Sequence, residues 1–489
     1  MGESNESQKL ISELALLQHS DSKFVIQIDP TTTESNHSSP SDQIQIQHPK
    51  DEWLPLTESR NGNTYFAVFH ILNSNIAFQA LMLHVAFATL GWAWGSVCLS
   101  IAFIWQFYTI FLLTELHESV SGIRHSRYLF LAMSAFGSTL GKIAVLFPVM
   151  YLSGGTCVMF IITGGGTMKM LFKILCENDN GEMCGAHAPS GVVWFLVFTC
   201  LAILIAQLPN LNSVAAVSLV GVVTAISYCT LFWSLSLKGR PIGVSYTTLM
   251  SQQESTVVKI SDVINAIGII VLSFRGHNVV LEIQGTLPSN LKETSKELMR
   301  RGVTISYILI AMCVFPLAIV GFWAYRNQIH GRGLLFGFQQ FHKNQLSKFS
   351  VGAIYVLVIV HCLCSFQVYA MPVFDNLELR YTSIKNKKCP QWVRICFRLF
   401  FGGLAFFVAV ALPFLPSLAA LLGGITLVPV TYAYPCFMWL AIKKPRTKGI
   451  IWCFNLVLGS LGMLLGVFMV AAAIRTLADK GLKANFFKP

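Results

Sequence analysis

The stretch DVINAIGIIVLSFRGHNVVLEIQGTLPS, residues 262–289, sets Arg275, Gly276, His277 and Asn278 inside an otherwise apolar run, with Glu282 following. Val263–Phe274 alone is too short to cross a bilayer, which takes about 20 apolar residues. Carried on through Val279–Ile283 it has the length. A charged side chain at mid-bilayer costs about 2.5–3.5 kcal/mol on insertion scales, and a helix-interior glycine is about 1 kcal/mol worse than alanine. The stretch therefore predicts a helix, a break around Arg275–Asn278, and a second helix. Irregular backbone at that depth is tolerated only where protein encloses it or where it lines a cavity. Paired broken helices are how membrane carriers build a solute site. The competing reading ends the span near Ser273 and leaves Arg275 and His277 at a membrane boundary.

Composition sets the class. Of 489 residues, 54% are hydrophobic and only 12% are charged, against about 25% charged in a soluble domain. An all-α polytopic membrane protein is expected, with no room for a large water-exposed catalytic domain, so neither an enzyme nor a cofactor is expected. The net charge of +12 lies mostly in loops beside spans, where basic residues set orientation, and does not point to nucleic acid. The thirteen cysteines include no CxxC pair and no Cys/His cluster with metal spacing, so no metal site is expected. Cys176 and Cys184 flank the polar loop ENDNGEM; they are either a bridge, if the loop faces outward, or two free thiols.

Residues 1–63 are polar and rich in Ser, Gln, Asn and Asp, and read as a disordered cytoplasmic tail. Residues 64–489 read as the transmembrane domain. Eleven spans are expected near 66–90, 92–116, 142–168, 191–207, 211–236, 262–285, 303–325, 350–377, 396–413, 417–441 and 450–475. Residues 128–147, with Lys142, lead into the third. An odd number puts the termini on opposite sides. Tight basic clusters at 380–398 and 443–448 contrast with long, dilute loops at 237–261 and 326–349. That density places the N-terminus in the cytoplasm and the C-terminus outside.

The first span, FAVFHILNSNIAFQALMLHVAFATLGW from Phe66, carries Asn73, Ser74 and Asn75 together, with Gln79 after them. Alone, such a trio reads as an interhelical hydrogen-bonding patch. Five spans before the Arg275 break, it reads better as the partner break of a five-plus-five inverted repeat, with the eleventh span left over. Two half-helix ends facing one cavity suit a zwitterion: free N–H groups for a carboxylate, carbonyl and Asn/Ser oxygens for an ammonium.

Three segments carry a resemblance: GHNVVLEIQGTLPS at 276–289, HxLxSxIxxQALxLxVAFxxLGW from His70 to Trp92, and LPSLAALLGGITLVP at 415–429. The chain resembles the plant amino acid/auxin permease family, and within it the lysine-histidine transporter-like group, over about residues 50–489. The resemblance implies a LeuT-type fold with helices 1 and 6 broken, proton-coupled amino acid symport and a plasma-membrane location. Its partners would then be an amino acid, protons and the bilayer. Carried over by position, it implies substrate contacts at Ser74, Asn75 and Ala77 and at Ser273, Phe274, Gly276 and His277. Where the family usually has glycine in span 1, this chain has Asn75 and Ala77, and where it has proline, this chain has His84.

Further candidates come from spans that should flank the cavity: Tyr151 with Ser153, Gly154 and Gly155, and Phe366 with Gln367 and Tyr369. For proton coupling, His277, Glu282 and His84 are intramembrane titratable groups. Lys142 and His361 also qualify, although His361, after an apolar run, reads more simply as a structural hydrogen bond. The departures in span 1 motivate a second function, a non-transporting amino acid sensor. An auxin-like aromatic acid permease is the third.

Overall fold

The computed structural model describes residues 53–76, 78–119, 123–176, 189–238, 255–290, 293–325, 334, 347–481 and 485–487. Ala77 and Cys184 lie outside the described residues, as does most of the 1–63 tail. Cys176 is disulfide-bonded.

Helices α1 (Thr64–Asn75) and α2 (Leu83–Leu116) are joined through a 3-10 turn at Phe78–Met82. Next come α3 (Tyr128–Phe136), α4 (Ser138–Met150), a π-helical turn at Tyr151–Gly155 and α5 (Thr156–Cys176). Helices α6 (Gly191–Ile205), α7 (Ala215–Lys238) and α8 (Thr256–Leu272) follow. A 3-10 turn at His277–Val279 leads into the short α9 (Val280–Gly285). Then come α10 (Ser295–Tyr325), α11 (Lys348–Lys385), α12 (Gln391–Ala411), α13 (Ala419–Ile425), α14 (Tyr434–Lys443) and α15 (Ile450–Lys480).

Among the described residues, nine stretches are long and apolar enough to cross a bilayer, and Gly191–Ile205 is a shorter apolar helix. One of the nine, Thr64–Leu116, has 53 residues, far more than the roughly 20 one crossing needs. It folds back at Gly91, whose φ of 75° and ψ of −179° are not helical. A Cβ on Gly95 would lie 2.8 Å from the Phe87 ring. In a straight helix, residues eight apart are separated by about 12 Å of rise, so this contact requires a sharp bend at Gly91. The lead-in expected over 128–147 resolves differently. Tyr128–Phe136 is its own helix, and a turn at Gly137 starts the membrane-length segment Ser138–Cys176.

The core is built around α11. Residues 361–375 are all buried, as expected of a helix surrounded by protein. It packs against α5 and α7, while α10 packs against α1 and α2 and α8 against α2. Helices α12 and α15 instead leave apolar side chains exposed, among them Trp392, Phe400, Phe407, Ile450, Phe454 and Val467. Rows of this kind suit contact with lipid rather than water. Residues 53–63 pack into the domain: Leu54 and Leu56 are buried, and Gly62 N–H donates to Thr286 O at 3.1 Å.

Candidate functional site: two facing helix breaks

Both expected breaks are present, and they touch. Helix α8 ends at Leu272, and α9 does not begin until Val280. Between them Gly276 sits at φ 95°, ψ −10°, a left-handed conformation that a side chain resists. A Cβ there would lie 2.5 Å from Asn75 Nδ2 and 3.0 Å from Ser74 Oγ. The glycine thus serves twice: it turns the chain, and it lets the span 1 break approach.

The span 1 break is made differently. Asn73, Ser74 and Asn75 all lie in the last turn of α1, and the helix stops at Ile76, with φ −79° and ψ 83°. No left-handed residue is used at Asn75 or Ile76, so glycine is not needed at Asn75. Ending a helix inside a protein strands its last carbonyls, and each unsatisfied polar group in a membrane costs several kcal/mol. Helix α11 supplies the donors from one face, at four-residue spacing. Ser365 Oγ donates to Asn73 O at 3.0 Å. Tyr369 OH donates to Ser74 O at 2.7 Å. His361 Nε2 lies 2.8 Å from Ile76 O. The Ser74 hydroxyl and Asn75 amide turn back to Ile71 O.

Gln106 of α2 bridges the two breaks: its amide is 3.2 Å from Arg275 O and 3.5 Å from Asn75 Oδ1. Thr109 Oγ1 lies 3.0 Å from His277 Nε2, and Asn278 Nδ2 donates to Ser153 Oγ at 3.1 Å. Ser273 Oγ donates to Ile269 O, and Phe274 is fully buried with its ring against Phe103. Sequence reasoning did not single out Gln106, Thr109 or Ser365. A lone glutamine in the apolar run FIWQFYTIF was the available signal for Gln106.

Beside the breaks, Tyr151, Thr156, Leu272, Arg275, Gly423 and Thr426 line a cleft with about 10 Å³ of free space, roughly what one water needs. Tyr151 therefore lies on the same lining as Arg275. Phe366 is not on this lining; its ring packs against Phe401 of α12. The proton candidates separate as well. His277 is in the span 6 break with Nδ1 lacking a partner. His84 packs against Gly321 of α10, and its Nε2 lacks a partner. Glu282 sits toward Arg127 and Asp375, with Oε2 lacking a partner.

Those acids and bases begin an ionic layer at the end of the domain where residues 53–63 dock. Arg127 pairs with Asp375 at 2.6 Å, both buried, and Leu56 N–H reaches Asp375 Oδ1 at 3.4 Å. Arg394 joins Glu378 and Glu58 at 2.9 and 3.2 Å, and Lys388 meets Glu58 at 2.6 Å. Burial alone would raise the Glu58 carboxyl, but Lys388 and Arg394 hold it below its usual value. In the neighbouring loop, burial and the Arg124 cation hold His117 well below its usual value. Burial takes His125 down to about 4.

The comparisons agree with this architecture. The family described as "Transmembrane amino acid transporter protein" matches residues 60–475. Lysine histidine transporter-like 8 of Arabidopsis thaliana is 50% identical over 443 residues, covering 90% of this chain and 84% of that protein. Lysine histidine transporter-like 7 of the same plant is 45% identical over 446 residues, covering 90% of each. Among solved structures, a manganese transporter from Eremococcus coleocola superposes with a TM-score of 0.51 at 13% identity, over 90% of this chain and 89% of that one; at that identity the likeness speaks to fold alone. With helices throughout its described residues, two helix breaks set face to face and a family match over residues 60–475, the chain belongs to the transmembrane amino acid transporter family, in its lysine-histidine transporter-like group.

Proposed function

We propose that the chain imports amino acids across the plasma membrane by proton-coupled secondary transport, with alternating access at the paired breaks. The observation that carries this is the contact of Gly276 with Ser74 and Asn75, deep in the protein. Two unwound segments meeting there give a zwitterion what it needs. The helical segment starting at Phe78 begins with N–H groups that lack helical partners, for the carboxylate. The Asn75, Ser74 and break carbonyl oxygens receive the ammonium. Ser273, His277 and Tyr151 complete the surround, with Ala77 assigned by position.

Taking the limbs of Thr64–Leu116 as two crossings and adding Gly191–Ile205 makes eleven. The termini then lie on opposite sides, and the basic clusters at 380–398 and 443–448 favour a cytoplasmic N-terminus and an extracellular C-terminus.

For proton coupling, the geometry of His361 offers support beyond that of His277, Glu282 and His84. Both its ring nitrogens face carbonyl oxygens: Nδ1 at 3.0 Å from Gly221 O and Nε2 at 2.8 Å from Ile76 O. A neutral imidazole donates from one nitrogen only. The protonated ring therefore ties α1 to α7 and α11, and loss of the proton releases one tie.

The test is uptake of labelled amino acids into transport-deficient cells, with and without a proton gradient. Gradient-dependent accumulation is expected, and His361→Gln should remove its pH dependence. Binding without accumulation would make the protein a sensor. Preference for an indole acid over amino acids would make it an aromatic acid permease.

A further inference from the structure

Arg275 is the unusual member of the site. It is 9% exposed, and its side chain donates from Nη1 to Thr156 Oγ1 at 3.0 Å. Its Nε has no partner. The titratable groups that act on it electrostatically are the phenols of Tyr369 and Tyr151. Among the described residues no carboxylate pairs with it. The buried acids Asp375 and Glu378 are held by Arg127 and Arg394, and Glu282 faces Asp375 and Arg127 instead. An uncompensated guanidinium at this depth is costly, whereas a planar fork of five donors is the side chain best matched to a carboxylate.

Its position says which carboxylate. Arg275 lines the cleft beside the breaks, with Thr156, Tyr151 and Thr426 around it, whereas the main-chain zwitterion is met at Gly276, Ser74 and Asn75. We infer that Arg275 forms an anionic side-chain subsite, so that the preferred substrate carries a second carboxylate: an acidic amino acid. This rests on the transport site proposed above. Arg275 and Thr156 hold the side-chain carboxylate, and the apolar wall of Leu272 and Gly423 limits its length.

The experiment uses full-length protein purified in detergent. It measures apparent affinity for L-glutamate, L-aspartate and L-glutamine from thermal-stability shifts, with a chloride titration alongside. The acidic substrates should bind about tenfold or more tighter than glutamine. Arg275→Gln should bring that ratio close to one, and Arg275→Lys should restore part of it. An unchanged ratio in Arg275→Gln would overturn the subsite. So would chloride alone giving the full shift, which would mark an anion site, or equal binding of glutamate and glutamine by the native protein. Binding of neutral amino acids without acidic preference sinks only this inference. No response to any amino acid sinks the transport reading along with it.

Discussion

The two helix breaks do the same job with opposite means. The span 6 break is local: Gly276 at positive φ turns the chain, and the adjoining Arg275 is left with one hydroxyl partner. The span 1 break has no glycine among its described residues. It is held from outside, by His361, Ser365 and Tyr369 of α11 reaching its stranded carbonyls. One break depends on its own backbone and keeps polar capacity free. The other depends on its neighbours, which take up its main-chain carbonyls and leave the Ser74 and Asn75 side-chain oxygens to meet substrate. Substrate recognition is therefore expected to centre on span 6, and mechanical control on the link between span 1 and α11.

The harshest way to break this contrast is Gly276→Leu. The side chain meets both the positive φ and the Asn75 amide. Uptake should fall about a hundredfold, the scale that an ångström of misplacement costs a preorganised site, with surface expression intact. Normal uptake would remove the site altogether. A milder probe of the other side is Tyr369→Phe, which strands Ser74 O. It should cost about 1–3 kcal/mol, read as a lower melting temperature, whereas an unchanged melting temperature would mean that span 1 is not held by α11. The smallest effect should belong to neither break. Glu58, His117 and His125 all have lowered values, so the native state binds fewer protons than the unfolded chain. Their stabilising contribution is full above pH 6.5 for the histidines and above 4.5 for Glu58, and it is lost as the pH falls below those values. Melting curves from pH 7.5 to 3 should decline, first through the histidines and then below pH 4.5 through Glu58, and a flat profile would show that the docked 53–63 segment and its loop add little.

How far each break could be read from sequence follows from the same contrast. The span 6 break was legible because its signals are contiguous: a charge, a glycine and two polar side chains inside one apolar run. The span 1 break was legible only as a polar trio, and its turning residue, Ile76, carries no sign of it. Its donors were out of reach, because a serine, a histidine and a tyrosine on α11 acquire meaning only from carbonyls 285 to 295 residues away in sequence. His361 did read correctly as a hydrogen-bonding residue, while both of its partners needed the fold. The cost of Arg275 was visible at once; what the fold adds is that no carboxylate of the described chain comes to meet it.

The elbow at Gly91 has a mechanical meaning. Its two limbs meet with no loop between them, and the Phe87 ring is lodged against Gly95 across the corner. Such a joint has no slack, so tilting the outer limb must drag the returning one. Gln106 rides on that returning limb with its amide on the Arg275 carbonyl. The corner thus joins the first broken helix to the main chain at Arg275 through covalent continuity and a single hydrogen bond.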